Sequence, residues 1–346
     1  MAIIRQPLTG AKTRESPKAS ARFDWIAILL SAWWVGGIFL DGWAHSHLPQ
    51  LETFFTPWHA VLYSGFLVVA MFLLATAVRN HAQGYSWEHV MPRGYELSLL
   101  GVGVFAVGGI LDLLWHLFFG IERGMAALLS PTHLILALGT VLAVSGPLRA
   151  AWQRPVARRQ ETLFKLLPSI LSLTYVLAGF TFFTLFTQYA NPIIHPQADK
   201  QTDSVELWLV SILLQTAVFM GVALFALSRW QLPLGTFAIL YLLNNTLAIT
   251  QSDISHILVV ALFSLLTGAL VDLLYKALKP TVEQREALRL FAFLAPVMIQ
   301  TIYFLTLLAV SGLVWSVHLW VGSIVLSGAV GLLLSFLLVP LPVHQE

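Results

Sequence analysis

The sequence predicts an all-α fold, a polytopic bundle of transmembrane helices, and three observations carry that prediction. The chain is 58% hydrophobic and only 10% charged, whereas a soluble domain carries about 25% charged residues. Apolar runs recur along it, each close to the ~20 residues that cross a bilayer. The Lys and Arg between the runs fall almost entirely on alternate connections, as topology in a membrane requires.

Ten runs qualify as spans: 23–44, 57–78, 96–118, 132–152, 166–189, 205–229, 233–250, 255–277, 287–309 and 313–338. The seventh is the shortest and is interrupted by Asn244 and Asn245. Ahead of the first run, residues 1–22 form a basic, polar tail, and no small-residue cleavage site follows it, so the tail is read as cytoplasmic. With that end inside, the outward turns hold only Arg123 and Lys200, leaving the other 17 of 19 Lys and Arg on the inner side. The bias supports an even number of spans, with both termini cytoplasmic. The spans then form five hairpins whose turns face outward, in what is expected to be a prokaryotic inner membrane. The longest outward turn, 191–203, is a candidate lid or partner contact.

Composition also sets exclusions. A net charge of +2 with no basic stripe gives no nucleic-acid surface. With no Cys there is no disulfide framework, no thiolate metal site and no thiol nucleophile. Any metal must be held by nitrogen and oxygen.

The chemistry concentrates in the first two hairpins. Asp41 and His45 sit at i and i+4 at the end of the first run, on one helix face. His59 follows a turn, just inside the second run, at the same membrane level. Pro57 suits the first turn of a helix, where its missing N–H costs nothing, and Thr56 or Thr53 is the expected cap. The second hairpin repeats the order with Asp112, His116 and His133, again with Ser130 and Pro131 at the helix start. Imidazole and carboxylate in hydrocarbon are costly unless paired or metal-bound. Two His and one Asp per copy suit copper, zinc or iron. The other reading is an interhelical hydrogen-bond cluster without metal. Glu52 and Glu122 fall between the two halves of each copy, as further ligands, acceptors for an imidazole N–H, or a proton relay.

A His also stands near the start of the second helix in two later hairpins, His256 and His318, while the remaining hairpin has His195 in its turn and Glu206 near the helix start. The hairpin is therefore a weak internal repeat, with the carboxylate-rich version confined to the first two. His256 and His318 are equally read as helix caps or partners of a carbonyl. His47, His81, His89 and His344 are read as interfacial residues, and Trp43, Trp58 and Trp115 as an aromatic belt or a dry wall around a reactive centre.

The D-x-x-x-H of Asp41 and His45, followed by T-F-F-T-P-W-H ending at His59, resembles the copper-site motif of the C subunit of particulate methane and ammonia monooxygenases. The second copy is similar to that family's second motif in having Asp112, His116, Glu122 six residues after the His, and P-T-H ending at His133. Asp112 stands where the family has Asn. The resemblance covers about residues 20–150. It implies copper at Asp41, His45 and His59, and a second ion or a shared site at Asp112, His116 and His133. It further implies partner membrane subunits and oxidation of a small apolar substrate with O₂; a homo-oligomer is the other expected assembly. A zinc-dependent membrane hydrolase and a non-catalytic metal-binding or structural subunit are the rival functions. By domain, 1–22 is the tail, 23–152 the metal-binding four-helix module, and 153–346 further membrane helices without an assigned role.

Overall fold

The computed structural model describes residues 15–48, 55–120, 128–155, 162–184, 205–251, 254–310, 313 and 315–340. Among them the protein is all-helical: α1 (Ala21–His47), α2 (Pro57–Ala82), α3 (Glu96–Phe119), α4 (Pro131–Val144), α5 (Gly146–Gln153), α6 (Leu163–Phe183), α7 (Val205–Leu227), α8 (Thr236–Ile249), α9 (Ile257–Leu278), α10 (Arg285–Val310) and α11 (Val317–Leu338), with short 3-10 turns at Trp87–His89 and Ile254–His256.

A helix stands at each of the ten predicted runs, but not all are full spans. Eight helices are long and apolar enough to cross a membrane, and α4 with α5, bent by 42°, makes a ninth candidate. The bend falls at Ser145–Gly146–Pro147, where Pro147 withdraws an N–H and its ring opposes helix continuation. Helix α8 has 14 residues, a length of about 21 Å, against an apolar bilayer thickness of ~30 Å. Its first turn is capped from a neighbouring helix: Asp272 of α9 accepts the N–H groups of Phe237 (3.2 Å) and Ala238 (2.9 Å). The buried Asp272 is thus committed to a helix N-terminus, where its charge suits the dipole.

Helices α1 and α2, α3 and α4, α8 and α9, and α10 and α11 pack along one another as hairpins. The third predicted hairpin departs from the pattern. Helices α6 and α7 touch little; α7 lies along α11 and α6 along α8. Polar side chains explain part of this choice, since Thr181 of α6 donates to Asn244 of α8 at 2.9 Å, and Asn245 donates to Ser264 of α9 at 3.0 Å. Between apolar helices in lipid such bonds and close packing, rather than water exclusion, drive association.

The first four helices meet around Trp34, Phe66 and Phe105, whose ring centroids lie 4.7–5.4 Å apart. Close approach within the first hairpin depends on two glycines: a Cβ at Gly37 would lie 2.7 Å from Leu62 Cα, and one at Gly65 would lie 2.6 Å from Trp34 Cα. At the far end of these helices, buried Asp24 accepts from Tyr95 at 2.8 Å and from Arg154, tying α1, α3 and the end of α5 together. Large apolar side chains such as Leu29, Leu67, Met71, Leu258 and Leu262 are exposed on the outside of the bundle, as lipid contact requires.

Candidate metal centre

Each half of the candidate centre is built where one helix ends and its hairpin partner begins. Ser130 and Thr56 are N-caps, each followed by Pro at the first helical position. Thr56 Oγ1 accepts the backbone N–H of His59 at 3.1 Å and lies 3.1 Å from that residue's Nδ1. Ser130 does the same for His133, with Oγ 3.3 Å from the backbone nitrogen and 2.9 Å from Nδ1. The cap thus fixes the helix start and the imidazole together. Thr56 is the cap; Thr53 lies outside the described residues.

The other two imidazoles are fixed from their own helices. His45 Nδ1 donates to the Asp41 carbonyl at 3.0 Å, and His116 Nδ1 donates to the Gly120 carbonyl at 3.1 Å. A carbonyl can only accept, so Nδ1 carries the proton and Nε2 keeps its lone pair. Gly120 ends α3 with φ +80°, a left-handed conformation that favours glycine.

The structure brings the six predicted ligands together as two trios. His59 Nε2 lies 3.4 Å from Asp41 Oδ2, and His45 Nδ1 lies 3.6 Å from the same oxygen. In the second trio, His116 Nε2 lies 3.5 Å from Asp112 Oδ2 and His133 Nε2 lies 3.4 Å from Asp112 Oδ1. In each trio the candidate donor atoms lie within 4.8 Å of one another. These gaps exceed ordinary hydrogen-bond lengths of about 2.7–3.2 Å. The three gaps that run to Nε2, 3.4, 3.5 and 3.4 Å, match the ~3.4 Å edge of a tetrahedron whose ion-to-ligand bonds are about 2.1 Å. Asp41 Oδ1 is buried and has no hydrogen-bond partner among the described residues, a costly state for a carboxylate oxygen that a cation relieves. The two trios fit a metal ion by donor type, separation and unsatisfied charge.

The trios face one space. A cavity of about 410 Å³ is lined by Asp41, His45 and His59 from the first and by Asp112 and His133 from the second. His116 is buried, with Nε2 3.5 Å from Asp112 Oδ2. Both sets thus address a common interior, although α1 and α3 meet through Trp34 and Phe105 and do not run side by side. Glu52 and Glu122 lie outside the described residues, as do His195 and the 191–203 turn. His256 and His318 join neither trio.

Several residues of the site escaped the sequence reading. Tyr63 lines the same cavity as the two carboxylates, and Gly109 makes room for its hydroxyl, because a Cβ there would sit 2.9 Å away. Thr132 donates to Asp112 Oδ1 at 2.7 Å. The far wall comes from residues 153–346: Tyr175, Gly179, Phe180, Phe182 and Phe183 of α6, and Gln251 past the end of α8. Gln251 donates to the Phe39 carbonyl at 2.6 Å, one helical turn below Trp43. Thr132 beside His133, and Tyr63 one helical turn after His59 on α2, were the available signals; the α6 residues and Gln251 are apolar or singly polar residues on distant runs.

Comparison with known proteins finds no matching family model, no matching curated protein and no matching solved structure. The conclusion rests on the helices and the two trios: this is a helical membrane protein with two His/Asp groups able to bind a metal ion.

Proposed function

We propose that the chain is a copper-binding membrane subunit that oxidises a small apolar substrate with O₂, each trio holding one ion. The observation that carries the reading is the twofold arrangement of an Asp between two imidazoles on the wall of a largely apolar cavity. The motif resemblance to the C subunits of copper membrane monooxygenases favours copper over zinc or iron. The same resemblance supports partner membrane subunits as the source of electrons.

Asp41, His45 and His59 would hold the first ion, and Asp112, His116 and His133 the second. Copper at these positions would supply one-electron redox chemistry and O₂ binding. The protein's own part is positional. The hydroxyls of Thr56 and Ser130 and the carbonyls of Asp41 and Gly120 hold the imidazoles by Nδ1, leaving Nε2 of His45 and His116 as the ligand nitrogen. Phe39, Phe105, Leu134 and Phe182 wall the cavity, excluding water and offering dispersion contacts to an apolar guest.

The charge split supports ten spans with both termini cytoplasmic and the trios toward the outer face of an inner membrane. In that arrangement the 14-residue α8 counts as the tenth span.

The test is oxygen consumption. Copper-loaded protein, supplied with a quinol, is expected to take up O₂ faster when a small alkane or alkene is added, and zinc-loaded protein is not. Selective retention of zinc with hydrolytic turnover would replace this reading with a hydrolase. Bound copper with no oxygen uptake, even with co-purified partners present, would leave a metal carrier.

A further inference from the structure

The two trios differ in how far their carboxylates are satisfied before any ion arrives. In the first, both imidazoles approach Asp41 Oδ2, and Oδ1 is buried with no hydrogen-bond partner among the described residues. In the second, the imidazoles divide between the two oxygens of Asp112, and Oδ1 already accepts the Thr132 hydroxyl at 2.7 Å. The cause is one position. Thr132 precedes His133 as Trp58 precedes His59, and Trp58 turns its indole against Trp43, with ring centroids 5.8 Å apart, offering Asp41 no hydroxyl.

Resting on the metal-binding reading above, we propose that the two centres are inequivalent by construction: the Asp41 trio is the high-affinity site, and Thr132 sets the lower affinity of the Asp112 trio. A hydrogen bond donated to a carboxylate stabilises the charge without metal and draws electron density from the oxygen an ion would use. An ion entering the second trio must therefore displace or share that bond. An ion entering the first trio relieves an unsatisfied buried oxygen. Both effects act in the same direction. Hydrogen bonds to charged groups contribute enough to separate the sites by about ten-fold in Kd or more. The chain would fill Asp41, His45 and His59 first, keeping one centre permanently loaded while the other exchanges its ion.

The test titrates metal-free protein with zinc, a redox-silent probe, against a chromophoric chelator. The wild type is expected to show two steps at least about ten-fold apart, and Asp41→Asn should abolish the tighter one. Thr132→Val should tighten the weaker step by about ten-fold and leave the tighter step in place. Thr132→Ser, which keeps the hydroxyl, should retain the wild-type gap, and Trp58→Thr should narrow it by weakening the first step. If Thr132→Val does not fold, the Ser and Trp58→Thr pair decides. Two ions bound at a single affinity, or a gap unmoved by the loss or gain of the hydroxyl, overturns the inference while the metal reading stands. No stoichiometric binding at all overturns the metal reading itself.

Discussion

The ligand gap in the first trio depends on how closely α1 and α2 approach, and Gly65→Ala tests that dependence. The added Cβ would sit 2.6 Å from Trp34 Cα and 2.8 Å from Trp34 N. Both are main-chain atoms and cannot rotate away. Carbon contacts are comfortable at about 3.5–4.0 Å, so the helices must separate by roughly 1 Å. His59 is on α2 and Asp41 on α1, so their 3.4 Å gap widens by a similar amount. Two ligands on one ion with bonds of about 2.1 Å can stand no more than about 4.2 Å apart. The variant is therefore expected to lose the ion of the first trio and keep the second, with overpacking costing about 1–3 kcal/mol of stability. Metal analysis of the purified variant reads the first effect and its thermal midpoint the second. Gly103→Ala is the control, because a Cβ there meets nothing within 4 Å, and it should change neither. A Gly65→Ala protein that binds the first ion with wild-type affinity would refute the reasoning.

Three further outcomes are expected. Thr56→Val removes both the helix cap and the partner of His59 Nδ1, so affinity at the first trio should fall about 10–100-fold with about 1 kcal/mol lost from the helix; Thr56→Ser should restore both, which a chelator titration measures. Asp272→Ala leaves the N–H groups of Phe237 and Ala238 buried without an acceptor, costing about 1–3 kcal/mol in thermal unfolding while metal content stays unchanged. Reporter fusions at residue 346 and within 191–203 should report the cytoplasm and the outside respectively; a C-terminus outside would mean an odd number of spans.

The helices were legible because lipid imposes a length and a composition that a sequence cannot hide, and apolar runs mark every one of them. Their pairing was less so. Hairpins follow from short turns, but α6 chooses α8 through Thr181 and Asn244, a contact that no local pattern announces. Helix α8 reads as a weak span because its first turn is satisfied by Asp272 on another helix, which lets it start inside the bundle. The trios were visible because i,i+4 spacing puts Asp and His on one face and the cap places the third ligand at the same level. Gln251 and the aromatic wall of α6 were not, because they reach the cavity through packing between distant runs; Tyr63, one turn beyond His59 on α2, is placed near the site by spacing alone. Thr132 was visible as a residue but not as a donor, since only the folded hairpin sets its hydroxyl against Asp112.

The central claim is that each trio is a metal site and not a hydrogen-bond cluster, and counting bound ions tests it most directly. Protein purified without chelator, resupplied with copper and zinc, desalted and measured by elemental analysis should hold two ions per chain. Replacing Asp41, His45 and His59 with Ala should remove one, and replacing Asp112, His116 and His133 should remove the other. A correctly folded wild type that retains no stoichiometric metal, or loses none when all six are replaced, would contradict the claim and leave the two trios as polar links between helices.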